Sequence, residues 1–159
     1  MILVLLGTQD KPFLRLLKMV SKEIDKGNIK EKVVAQTGYT AFSDKNMESF
    51  DFKNKEEIEK LIDKARIIIT HAGVGTITEC LEKGKKIIVV PRLKKYLEHT
   101  NDHQMQITKE FEMKGYVIAL YDKSRLSAAL DKIKTFKPKK YESNSENFRT
   151  KIKDYIDNI

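Results

Sequence analysis

The chain has 159 residues, 40% of them apolar and 34% charged, which fits one soluble globular domain able to fill a core without disulfide or metal staples. Disordered, collagen-like and small stapled folds are excluded. Thirty-one Lys and Arg against 23 Asp and Glu give a net charge of +8, so the surface attracts anions such as nucleotides, nucleic acid or acidic lipid headgroups.

The first apolar run, Met1 to Leu6, is closed by Gly7-Thr8 and reads as a strand buried on both faces, the signature of a parallel sheet. It is too short, and lacks the basic flank, for a signal peptide, and the lone Cys80 has no disulfide partner; a cytoplasmic protein is expected. Pro12 suits the first turn of a helix, and Phe13, Leu16, Leu17, Val20 and Ile24 recur at helical spacing up to Gly27-Asn28. Lys32 to Gln36 reads as a second strand. Thr37 to Ser49 reads as loop, with a short strand predicted at Phe50 to Phe52.

Asn54 is an expected N-cap, followed by Glu56, Glu57, Ile58, Leu61 and Ile62 in an amphipathic pattern with acids near the positive helix end. Arg66 to Thr70 is a β-branched strand. Gly73 to Gly84 then reads as a glycine turn opening a helix that stops at Gly84. Lys86 to Val90 forms the next strand, ending at Pro91, and a long loop leads to a helix from about Asp102 to Lys114. Tyr116 to Leu120 as strand and Ser124 to Ile133 as helix complete an α/β doubly wound, mainly parallel sheet over residues 1–136. Lys132 to Lys140 carries five lysines, no acid and one proline. It reads as a basic linker, or as a strip facing an acidic membrane, before a short C-terminal helix from Ser145 to Ile159; residues 137–159 are expected to pack on the domain or on a partner.

Ligands of open α/β sheets bind beyond the carboxyl ends of the strands. Four features should meet there: Gly7-Thr8-Gln9, Thr70 to Thr76, Pro91-Arg92 and Asn101 to Gln104. Gly73 and Gly75 suit a turn where a phosphate approaches the free N–H groups of a helix start. Thr76 adds a hydroxyl, and Glu79, one turn along, is placed to accept hydrogen bonds from a ribose diol. The full GxGxxG and GxxxxGK[ST] patterns are absent, which sets NAD enzymes and P-loop NTPases behind. No DxD pair is present, and His71, His99 and His103 lack ligand companions at metal spacing, so metal-free handling of phosphate is expected. Arg92 is a candidate cation for a departing diphosphate. The chain has no RNP sequence, zinc finger or helix-turn-helix, so nucleic acid is not the expected partner.

His71-Ala-Gly-Val-Gly-Thr-Ile-Thr-Glu79, then Ile87 to Pro91, then His103-Gln104 resemble the C-terminal, donor-binding half of family 28 glycosyltransferases. That family includes MurG-type enzymes, the catalytic subunit of the two-subunit dolichol-linked UDP-GlcNAc transferase, and the short PssE- and EpsF-type subunits of capsule and exopolysaccharide assembly. The resemblance implies a Rossmann-like half of a GT-B fold that binds a UDP-sugar, needs no cofactor or metal, and transfers the sugar with inversion to a lipid-diphosphate-linked acceptor. Gly73, Val74, Gly75 and Thr76 would face the diphosphate, and Glu79 the ribose. Gln104, with Asp102 or His103, would read sugar hydroxyls. Gly7 and Thr8 would lie beside the donor, and Ile87 to Pro91 would help wall the uracil pocket. The length supplies one half only, so a membrane-associated partner chain is expected to bring the acceptor and to recruit the chain to the cytoplasmic membrane face. The base is His71, His103 or a residue of that partner. A non-catalytic nucleotide-sugar-binding module is the alternative, and an isolated half with an exposed docking face can form homodimers.

Overall fold

The computed structural model describes residues 1–122, 124–143 and 146–158. Its sheet is formed by β1 (Ile2–Leu5), β2 (Val33–Gln36), β3 (Glu48–Phe50), β4 (Ile67–Thr70), β5 (Lys86–Val89) and β6 (Ile118–Ala119). All pairings are parallel, in the order β3-β2-β1-β4-β5-β6. Chain order reverses between β1 and β4, which places the switch point of a doubly wound sheet at the ends of those two strands. The helices are α1 (Leu14–Asp25), α2 (Lys55–Lys64), α3 (Val74–Glu82), α4 (His103–Met113), α5 (Leu126–Thr135) and α6 (Glu146–Asp157), with a 3-10 turn at Lys94–Tyr96.

Alternation along the strands divides the core into two layers. Ile2, Val4 and Leu6 of the first apolar run pack with Leu16, Leu17 and Val20 of α1 and Leu130 and Ile133 of α5. Leu3 and Leu5 point the other way, into a layer with Ile62 of α2, Ile77 and Cys80 of α3 and Phe111 of α4. Strand β1 is therefore apolar at every position and β4 at all but Thr70, as central strands of a sheet covered on both faces require. Burial also pushes the Cys80 thiol up to about 12, which makes it an inert packing group.

Several local expectations shift. Helix α1 starts after Pro12, with Phe13 as its N-cap and the Phe13 N–H held by Thr40 Oγ1 at 2.9 Å. Strand β3 forms at Glu48–Phe50, earlier than Phe50 to Phe52, because backbone pairing to Val34–Gln36 and not an apolar run creates this edge strand. Asn54 caps α2 through a complete capping box with Glu57. At α4, Asn101 Oδ1 accepts from the His103 N–H at 3.0 Å, while Asp102, the expected terminal acid, accepts from the Lys94 N–H at 2.9 Å and so braces the preceding loop.

The Lys132 to Lys140 segment is held to the body: Phe136 packs on the core, and the Lys139 N–H donates to the Gly115 carbonyl at 3.0 Å. Helix α6 lies on α4, with Phe148 edge-on to Phe111 at 5.0 Å and Lys151 3.6 Å from the Glu110 carboxylate. The predicted bounds of that helix, Ser145 and Ile159, lie outside the described residues. No helix of the described residues is long and apolar enough to cross a membrane.

Candidate functional site

A cleft of about 360 Å³ opens at the switch point. Gly7 and Thr8 border it from the end of β1, and His71, Gly73, Gly75, Thr76 and Glu79 from the end of β4 and the first turns of α3. The sequence motif and the topological switch point therefore coincide.

Helix α3 begins at Gly73 with no side-chain cap and no acid in its first turn. Its leading N–H groups are thus left to an external acceptor, and the positive end of the helix dipole faces the same space. A β-carbon on Gly75 would meet nothing within 4 Å, so Gly75 keeps the cleft open and is not demanded by packing. Gly7 and Gly73 differ. A β-carbon on Gly7, whose φ is +78°, would lie 2.5 Å from the His71 ring, and one on Gly73 would come closer still. The imidazole occupies the space that both glycines vacate.

His71 is buried, and desolvation, helped by the nearby Arg92 charge, lowers its pKa to about 4. It is neutral at physiological pH. Thr70 Oγ1 donates its single proton to the Leu5 carbonyl at 2.9 Å and stands 3.2 Å from His71 Nδ1. The Nδ1 contact therefore uses an Nδ1–H donor, which leaves Nε2 as the acceptor. Such a ring can receive a hydrogen bond from a ligand, but it is a weak proton acceptor and offers no positive charge to phosphate.

Glu79 brings an unpartnered polar atom to the cleft. Its Oε1 is buried at the cleft wall and has no hydrogen-bond partner. Buried carboxylate oxygens cost free energy unless a donor reaches them.

The other expected site residues stand apart from the cleft lining. The Val74 side chain faces an apolar groove shared with Phe111, Phe148 and Ile152, so only its backbone is on the cleft side. Gln104 is buried behind the cleft, where its Oε1 accepts from the N–H groups of Ala72 at 3.2 Å and Arg92 at 3.0 Å, tying the ends of β4 and β5 together. Its amide nitrogen has no bond among the described residues and stays available. His103 Nδ1 lies 3.1 Å from Gln106 Oε1 on the outer side of α4.

Two expectations are corrected. Ile87 to Val90 are 0% exposed and Pro91 is buried, so this strand is core on both faces and does not line the cleft. Arg92 is 1% exposed. Its guanidinium donates to the carbonyls of Leu6 (2.8 Å), Lys11 (2.7 Å) and Glu98 (3.1 Å) and stacks 4.8 Å from the Phe13 ring centroid. Burial lowers its pKa to about 10, so the cation persists at neutral pH. It fastens the two ends of the Gly7–Asp10 loop; its Nε–H is left without a partner among the described residues but is buried, and Arg92 does not line the cleft. Glu98 completes the arrangement, gripping Arg15 through both oxygens at 2.8 and 2.9 Å.

The opposite wall comes from residues that the motifs did not indicate: Gln36 at the end of β2, and Lys53, Lys55 and Ile58 where the chain enters α2. The signal available was positional, since Asn54 caps a helix that follows a strand's carboxyl end. Only strand order reveals that this end adjoins Gly7. Among the described residues no group of three His, Cys, Asp or Glu side chains is arranged to hold a metal.

Six parallel strands and a cleft at the switch point, faced by the free N–H groups of an uncapped glycine turn, define a Rossmann-like α/β domain of the GT-B type. The chain belongs to the glycosyltransferase family 28 C-terminal domain family, whose sequence profile matches residues 1–159. It is 35% identical over 66 residues to the human UDP-N-acetylglucosamine transferase subunit ALG13, covering 42% of this chain and 6% of that protein. It is 31% identical over 138 residues to the UDP-N-acetylglucosamine--N-acetylmuramyl-(pentapeptide) pyrophosphoryl-undecaprenol N-acetylglucosamine transferase of Clostridium tetani, covering 84% of this chain and 34% of that protein. The chain thus spans about a third or less of the length of these relatives. Its fold matches an NMR solution structure of ALG13 with a TM-score of 0.56 at 18% identity, over 93% of this chain and 92% of that one.

Proposed function

We propose that the chain is the donor-binding subunit of an inverting glycosyltransferase that moves a sugar from a UDP-sugar to a lipid-diphosphate-linked acceptor. The reading places it with the PssE- and EpsF-type subunits of bacterial surface polysaccharide assembly, acting beside a membrane-associated partner on the cytoplasmic face. The observation that carries it is the orphaned Glu79 Oε1 beside the uncapped turn of α3. A ribose hydroxyl supplies the donor that Glu79 lacks, and a diphosphate supplies the acceptor that the α3 N–H groups lack. One UDP answers both needs.

In this reading the Gly73 to Thr76 N–H groups hold the departing diphosphate without a metal, and Lys53 and Lys55 add positive charge from the facing wall. The Gln104 amide nitrogen is the group left to address the sugar. A base must take the acceptor hydroxyl proton near neutral pH. His71, at about 4, is poorly matched, and His103 stands away from the cleft lining, so the partner is assigned the base.

An amide NMR titration with UDP and then a panel of UDP-sugars tests the donor site. Shifts concentrated at Lys53, Gly73 to Glu79 and Gln104 are expected, with sugar transfer to a lipid acceptor only when the partner is co-expressed. Binding without transfer in the presence of the partner would favour a nucleotide-sugar-binding module, and full activity of the isolated chain would overturn the two-subunit reading.

A further inference from the structure

Leu97 is the one non-glycine residue with a left-handed backbone among the described residues, at φ +58°, and it is 78% exposed. A turn of this geometry is served best by Gly or Asn, and a leucine there is strained and gives its side chain no packing in return. The neighbouring Tyr96 is also exposed, its ring held between Arg15 at 5.1 Å and Lys95 at 5.0 Å. The sequence Lys94-Lys95-Tyr96-Leu97 therefore projects an aromatic and an aliphatic tip from a cationic base.

Beside this tip, a groove of about 560 Å³ runs along α1 with Pro12, Leu14 and Met19 on its floor and Lys18 and Lys22 on its rim. The acids of this face are engaged: Glu98 is paired with Arg15, and Asp122 with Lys95 and the Tyr96 hydroxyl. Lys18, Lys22 and Lys94 belong to no ion pair among the described residues. The 3-10 turn follows the carboxyl end of β5 and the first turn of α1 follows that of β1, so Tyr96, Leu97 and Leu14 lie at the sheet end of the cleft, with Lys18 and Lys22 further back along α1.

We propose that this patch, Leu97 and Tyr96 with the lysines around them, is a docking surface for an anionic lipid bilayer. Uncompensated lysines favour the negative headgroup layer, and Tyr and Leu side chains gain by entering the interface beneath it. The Lys132 to Lys140 strip cannot share that role. Lys86, which opens β5, donates to the Ile133 and Lys134 carbonyls, so the strip sits at the amino ends of the strands and a bilayer there would face away from the cleft. The assignment goes beyond UDP-sugar binding and fails separately from it, because bilayer contact is read without nucleotide.

The test is flotation of the full chain with phosphatidylcholine vesicles that do or do not contain phosphatidylglycerol, at low and high salt. Salt-sensitive binding to the anionic vesicles is expected. Lys18→Gln/Lys22→Gln/Lys94→Gln should weaken it about tenfold or more, since each lysine near a charged surface contributes a several-fold factor. Leu97→Gly relaxes the backbone and so preserves the fold, and it should also weaken binding several-fold. The proposal is overturned if wild type ignores anionic vesicles, if both variants bind like wild type, or if Lys137→Gln/Lys139→Gln/Lys140→Gln alone removes binding.

Discussion

The imidazole of His71 fills the volume that a β-carbon on Gly73 would require. One glycine of the motif is therefore explained by a side chain two positions away, while Gly75 borders open space. Glycines that look equivalent in a Gly-x-Gly turn serve different ends here, one for packing and one for access.

Gly73→Ala should lower stability by about 1–3 kcal/mol as the ring is forced aside, and His71→Ala in the same chain should recover part of the loss. Gly75→Val should leave the urea midpoint near wild type while removing UDP binding. A urea double-mutant cycle with a parallel UDP titration checks both; additive losses at residues 71 and 73 would separate the two groups.

Glu79→Gln and Glu79→Ala should weaken UDP-sugar binding by about 1–3 kcal/mol, the range for a desolvated hydrogen bond to a charged group. Neither should destabilise the free chain, because the orphaned oxygen is already unsatisfied. Calorimetric titration of the variants provides the comparison, and unchanged affinity would remove Glu79 from the ribose.

Stability should rise with pH between about 4 and 6.5. The folded His71 pKa is depressed to about 4 from 6.5, so the unfolded chain takes up a proton in that window and the folded chain does not. The contribution is on the order of 3 kcal/mol between the two limits. Above pH 6.5 it is constant. His99 is depressed in the same direction, mainly by burial. Urea midpoints from pH 7 to pH 4.5 should fall more steeply for wild type than for His71→Gln; parallel slopes would contradict the buried neutral ring.

Arg92→Met should cost about 3 kcal/mol or more, because it strands three buried carbonyls that now accept from one guanidinium. Amide exchange at Gly7 to Asp10 should accelerate beyond the global change, since Leu6 and Lys11 lose their shared tie. Uniform acceleration across the chain would show that Arg92 does not act on that loop in particular.

The sequence alone determined the strand–helix alternation, the doubly wound class and the glycine turn at the head of α3. Those features depend on neighbours a few positions apart, such as the continuous apolar runs of β1 and β4 and the Asn54–Glu57 capping box, which local patterning records. The tertiary structure decided what the polar residues around the cleft do. Arg92 finds Leu6 and Lys11 at separations of 86 and 81 residues, Gln104 braces two strand ends, and Lys53 with Lys55 reach the cleft only because β2 lies next to β1 and β3 next to β2. A buried cation satisfies whichever carbonyls surround it, and only the order of strands in the sheet sets which those are.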